Sequence, residues 1–232
     1  MIIGPLIVVG MHRSGTSCLA GLLEEAGVWL GEIKRRSDHN PKGNRENPDI
    51  MRLNDAVLHG VGAAWNAPPD GALTWDDRLG AERDRILAGY PVGRIWGFKD
   101  PRTLFTLPFW RAALPEAQLV GSLRHPVAVA LSLQARNRMP VREGLALWTA
   151  YNRRLCALAQ AEDVPILSFD AQPAAYRVSA LYLVRSLGLT PPSDGLGFFE
   201  EDLRHQGADH ADVALPADTA GLYEELQERV IA

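Results

Sequence analysis

Residues 6–18, LIVVGMHRSGTSC, constrain the fold more than any other stretch of this chain. An apolar run ends at Gly10, a second glycine follows at Gly15, and hydroxyl residues then open a helical pattern. A strand that ends in glycines and turns directly into a helix belongs to an α/β layer, where parallel strands are buried on both faces. Backbone N–H groups converge at such a turn and the helix dipole favours negative charge, so the loop is an anion site. Gly10 and Gly15 have the G-x-x-x-x-G spacing of a phosphate loop, and Ser17 stands where a magnesium-binding hydroxyl would. The lysine position is Thr16, and the nearest cation is Arg13, three residues earlier. A loop built this way lacks the main cation that holds a triphosphate.

The rest of the chain agrees with that opening. LIVV (6–9), IWGF (95–98), QLVGS (118–122) and PILSF (165–169) read as strands. Helical patterns separate them, the signature of a parallel sheet with crossover helices. Leu19, Leu22, Leu23 and Ala26 share one helical face, and Gly27 supplies the stop. Further helices are predicted over 126–137 and 141–161, broken at Met139-Pro140, and over 174–188 and 219–232. The predicted fold is a three-layer α/β/α domain with a mostly parallel central sheet, of the P-loop nucleotide-binding type. It is expected to occupy 1–232 as a single domain, with long loops near 31–48, 61–78 and 190–217 that have the length of lids or binding segments.

Charge and composition narrow the function. The formal net charge of -4 argues against a general nucleic-acid binder, so anion affinity must come from local arrangement. Cys18 and Cys156 make no disulfide framework, which fits a reducing, cytoplasmic setting. The opening MIIGPLIVVG has no basic n-region and reads as a buried strand, and no window has the length of a membrane span. No Cys/His cluster has zinc spacing, and no G-x-S-x-G elbow is present. His12, beside Arg13, reads as a loop residue rather than a catalyst. Of 24 basic residues only Lys34, Lys42 and Lys99 are lysines.

Two further segments carry anion-binding or catalytic chemistry. In LRHPVAVALSLQARN (123–137), Arg124 ends a strand, Pro126 opens a helix and Ser132 falls in its second turn. In WGFKDPRTLFTLPFW (96–110), Lys99 ends an apolar strand, at the sheet edge where ligands bind, and Asp100 and Arg102 fix the turn and one another. A lysine there can neutralise charge on a departing oxygen.

HRSGTS resembles the 5′-phosphosulfate loop of the sulfotransferases that use 3′-phosphoadenosine 5′-phosphosulfate (PAPS), and the Arg124/Ser132 pair resembles their 3′-phosphate site, with His125 where Asp or Asn is frequent. The resemblance covers residues 5–140. It implies that Arg13, Ser14, Gly15, Thr16 and Ser17 hold the 5′-phosphosulfate, that Arg124 and Ser132 bind the 3′-phosphate, and that Lys99, often in a Lys-Asp-Pro run, assists departure. Catalysis is expected to draw on Arg13, Lys99 and a glutamate following the first helix. Glu32 lies nearer the usual distance, and Glu46 is preferred because it precedes a helix starting near Pro48 that can hold it rigidly. The basic loop 33–46, with Lys34, Arg35, Arg36, Lys42 and Arg45, lies where this family binds acceptors, and suits an anionic or sugar-like molecule. Phe169 and Asp170 stand where relatives have Tyr-Glu, the Arg-Lys-Gly segment of cytosolic members is missing, and Arg204 could substitute for it.

The expected activity is therefore sulfuryl transfer from PAPS to a hydroxyl or amine of a small-molecule or carbohydrate acceptor, with no metal and no nucleic acid. Two alternatives stay open. One is a P-loop kinase of small molecules, against which Thr16 counts. The other is a non-catalytic nucleotide-binding protein, which would have no need of Lys99.

Overall fold

The computed structural model describes residues 4–33, 43–192, 196–199 and 213–231. Strands β1 (Leu6–Gly10), β2 (Gly97–Lys99), β3 (Gln118–Leu123) and β4 (Ile166–Ser168) form one sheet in the order β2-β1-β3-β4. Every pairing is parallel. Beyond the named strands, Trp29 bridges Trp96 and Val230 bridges Ile166, both in the parallel sense.

Burial on both faces explains why β1 is apolar throughout instead of alternating. Leu6 and Val8 face one core, with Leu19, Leu22 and Leu23 of α1 (Thr16–Glu25) and Tyr176, Ala180 and Leu183 of α7 (Pro173–Ser186). Ile7 and Val9 face the other, with residues of α2 (Pro48–Gly60), α4 (Thr103–Arg111), α5 (Pro126–Asn137), α6 (Val141–Ala161) and α8 (Ala217–Gln227). The architecture is therefore the expected three-layer sandwich.

All four expected strands are present, with β2 shifted from 95–98 to Gly97–Lys99 and β4 shortened to Ile166–Ser168, and α5 and α6 occupy the expected spans. Two helices were not anticipated. In α3 (Asp77–Ala88) only Leu79, Arg83 and Ile86 are buried, so its apolar stripe is too thin to read; its start is fixed by Asp76, whose side chain accepts from Leu79 N at 2.9 Å. α4 carries Pro108 in its interior, a residue that argues against helix in a sequence. Burial of Leu104, Phe105, Leu107, Phe109 and Trp110 holds it together.

The strand ends set up the site. Val8 is opposite Lys99, Gly10 opposite Ser122, and Leu123 opposite Ser168. The glycine loop, Lys99, Arg124 and the Phe169-Asp170 corner consequently leave the sheet along one carboxyl edge, where open parallel sheets bind ligands.

Candidate active site at the carboxyl edge of the sheet

The glycine loop owes its shape to positions that no side chain could occupy. Gly10 has φ 146, and a Cβ there would meet the Ser122 carbonyl oxygen at 2.6 Å and the Thr16 methyl at 2.9 Å. Gly15 has φ 85 and caps α1; a Cβ there would lie 2.4 Å from the Phe169 ring. Arg13 is itself left-handed at φ 67, which turns its side chain toward α5. Ser14 is held from both sides, since its N–H donates to the Met11 carbonyl at 3.2 Å and its carbonyl accepts from the Ser122 hydroxyl. Among the described residues, the buried Ser14 hydroxyl has no hydrogen-bond partner. Thr16 is buried at the first position of α1.

The two anion sites expected from sequence form one cluster. Arg13 Nε donates to Ser132 Oγ at 2.8 Å, and an Arg124 guanidinium nitrogen donates to the Arg13 carbonyl at 3.1 Å. Burial first, and then Arg136 and Arg124, draw the Arg13 pKa down. Guanidiniums crowded together in this way are relieved by an anion. Asp170 steadies Arg124 at 3.8 Å and accepts a hydrogen bond from the His125 N–H; Phe169 lies beneath the Arg124 guanidinium at 5.4 Å. The Phe-Asp pair at the end of β4 thus packs on Arg124 of the candidate site, despite its departure from Tyr-Glu.

Lys99 and Glu46 meet on the other flank. Lys99 Nζ donates to Glu46 Oε1 at 2.6 Å, with side chains only 2 % and 9 % exposed. Behind the pair, Arg102 donates to Asp100 through its backbone N–H at 2.9 Å and its guanidinium at 3.0 Å, as expected, and also binds Asp55 of α2 at 2.6 Å. Burial, partly offset by Arg102, raises the Asp100 pKa to about 6. The alternative base, Glu32, is exposed.

Other expectations changed. The Ser17 hydroxyl donates to the Asn44 carbonyl at 3.1 Å, so it binds the segment before α2 as well as standing in the loop. Arg45 does not offer a free cation to an acceptor: it is 2.8 Å from Glu24 of α1 and stacks on Phe198 at 4.6 Å. Lys34, Arg35, Arg36, Lys42 and Arg204 lie outside the described residues. His12 is indeed a loop residue, packed 5.0 Å from the Trp65 ring and 5.6 Å from Tyr151, whose hydroxyl donates to the Trp65 carbonyl at 2.7 Å. Burial and then the charges of Arg102 and Lys99 depress its pKa, so it stays neutral. Trp65 and Tyr151 had no local signal; one sits in an irregular stretch and the other reads as an ordinary core aromatic.

A family profile described as the sulfotransferase family matches residues 5–168, from the start of β1 to the end of β4. The chain belongs to the sulfotransferase family. Two solved structures show the fold of this sulfotransferase-family chain. A sulfotransferase from Alicyclobacillus acidocaldarius is 16 % identical with a TM-score of 0.59, and the match covers 99 % of this chain and 97 % of that one. The sulfotransferase domain of the Synechococcus PCC 7002 olefin synthase is 15 % identical with a TM-score of 0.55, covering 96 % of this chain and 94 % of that one. No curated protein sequence matches the chain significantly. Among the described residues, no helix is long and apolar enough to cross a membrane, and no group of three acidic, His or Cys side chains could hold a metal ion.

Proposed function

We propose that this chain transfers a sulfuryl group from PAPS to a hydroxyl or amine of a carbohydrate or small-molecule acceptor, in the cytoplasm. The observation that carries the reading is the contact of Glu46 with Lys99, 2.6 Å apart at the sheet edge that also bears the glycine loop. A nucleotide-binding module needs neither residue there, whereas sulfuryl transfer needs both a base and a cation.

The residues fit a nucleotide with a phosphosulfate at one end and a 3′-phosphate at the other. The glycine loop, with its unpartnered Ser14 hydroxyl, receives the 5′ end, and Arg124 with Ser132 receives the 3′ end. PAPS supplies an activated sulfuryl group. The Glu46 carboxylate takes the proton of the acceptor hydroxyl as the acceptor oxygen bonds to sulfur. The bond from sulfur to the bridging oxygen breaks, its electron pair passes to the 5′-phosphate, and Lys99 and Arg13 balance that charge. Thr16 in place of lysine is consistent with a donor that carries no magnesium-bridged triphosphate.

The test is calorimetry with 3′-phosphoadenosine 5′-phosphate, followed by turnover of PAPS against a panel of sugar and small-molecule acceptors. Micromolar or tighter binding and acceptor-dependent turnover are expected. Glu46→Gln should bind the nucleotide as wild type does and lose at least about a hundredfold in kcat. Saturation by ATP with magnesium and none by PAPS would replace the reading with a kinase, and binding without turnover would replace it with a nucleotide-binding protein.

A further inference from the structure

Residues 43–47 have no regular structure, yet they present a buried carboxylate at a 2.6 Å contact. An irregular segment does not hold such geometry by itself, because each backbone left free carries about 1–2 kcal/mol of conformational entropy. The fastenings on either side of Glu46 are therefore informative. Asn44 is held through its carbonyl by Ser17. Asn47 accepts from the Asp49 N–H at 2.9 Å as the cap of α2, and its amide reaches the Tyr90 hydroxyl at 3.3 Å.

Arg45, next to Glu46, is the unusual member. Its backbone is left-handed at φ 57, which a residue with a Cβ adopts at a cost of about 1–2 kcal/mol. The side chain compensates. It runs back to α1, 2.8 Å from Glu24 and stacked on the Phe198 ring at 4.6 Å, with Arg45 and Glu24 only 10 % and 23 % exposed. Phe198 is itself seated on Gly21 of α1, where a Cβ would lie 2.3 Å from the ring. Arg45 thus grips α1 while the next residue, Glu46, meets Lys99.

We infer that Arg45, with Glu24 and Phe198 as its seat, is a positioning residue that holds Glu46 on Lys99. This rests on the reading of Glu46 as the base. α1 begins in the glycine loop, so one rigid helix then fixes both the donor loop and the base that deprotonates the acceptor beside it. A displacement of about 1 Å in such a pair is enough to cost about a hundredfold in rate.

The experiment uses Arg45→Asn, Arg45→Lys and Glu24→Gln in the full chain. Asparagine tolerates the left-handed backbone, so Arg45→Asn deletes the grip without adding strain. Expected for Arg45→Asn is a kcat loss of about ten- to a hundredfold, with affinity for 3′-phosphoadenosine 5′-phosphate within about twofold of wild type. Glu24→Gln should lie between the two, and Arg45→Lys should restore part of the rate. Amide hydrogen exchange over 43–47 in the nucleotide-free protein should quicken in Arg45→Asn and Glu24→Gln. Gly21→Ala, which displaces Phe198 without touching the site, should behave like Glu24→Gln and keeps the test available if an Arg45 variant fails to fold. Adding Arg45→Asn to Glu46→Gln should cost nothing more, because the residue acts through Glu46. Wild-type kcat and exchange in Arg45→Asn, or full additivity with Glu46→Gln, would overturn the inference. A Glu46→Gln enzyme with normal turnover would instead overturn the assignment of the base.

Discussion

Replacing Lys99 by methionine should separate the stabilising part of the Glu46 pair from its chemistry. At 2.6 Å, the attraction at an effective dielectric of about 20 is about 6 kcal/mol before desolvation is subtracted. Desolvating two nearly buried ions cancels much of that in the intact pair. It does not protect a single variant, which leaves Glu46 charged and enclosed without its partner. Lys99→Met should therefore destabilise by about 3–5 kcal/mol, the usual cost of breaking a buried pair from one side. For a chain of this size that lowers Tm by about 6–20 °C. The double variant Lys99→Met/Glu46→Leu removes both charges and fills the space, and should recover most of the loss. Urea unfolding followed by tryptophan fluorescence reads this directly, and the cycle should show a coupling of at least about 2 kcal/mol. Turnover should not follow stability, since the double variant has neither base nor cation and stays inactive. Additive single effects, or a loss below about 1 kcal/mol in Lys99→Met, would refute the buried-pair reasoning.

Arg124→Ala should weaken 3′-phosphoadenosine 5′-phosphate by about 2–3 kcal/mol while hardly affecting the nucleotide without a 3′-phosphate, as calorimetry with both would show; equal weakening would move the 3′-phosphate elsewhere. Gly15→Ala combines φ 85 with a contact to the Phe169 ring at 2.4 Å, so it should abolish nucleotide binding and lower Tm. Gly27→Ala, at φ 96 but with nothing within 4 Å, should lower Tm alone. For Asp100, burial raises the folded pKa from 3.8 to about 6, so the folded protein keeps a proton that the unfolded chain has lost. Stability from this group is then fully present below about pH 4 and is lost as pH rises through about 6. The stability of wild type relative to Asp100→Asn should accordingly decline between those values in urea titrations, and a gap that does not change with pH would contradict the burial effect.

Periodicity and turn chemistry are local, and what they encode was legible along the chain. β1 announced itself because a strand buried on both faces must be apolar throughout, and the glycine loop because only glycine fits at Gly10 and Gly15. The spans of α5 and α6 followed from Pro126 and from the break at Met139-Pro140. Family membership was readable for the same reason, since its motifs are short and continuous. Contacts between distant segments are not written locally, and there the tertiary structure decided. Arg13 meets Ser132 from 119 positions away because the parallel register of β1 and β3 brings loop and helix α5 to one edge. Lys99 meets Glu46, 53 positions away, because the fastenings at Arg45 and Asn47 hold the segment before α2 against the end of β2. Arg45 reads as part of a basic, acceptor-binding loop; only the approach of Glu24 and Phe198 made it an anchor. A residue's type and spacing state what chemistry it can perform, whereas its partner depends on which surfaces the packed layers bring within a few ångströms.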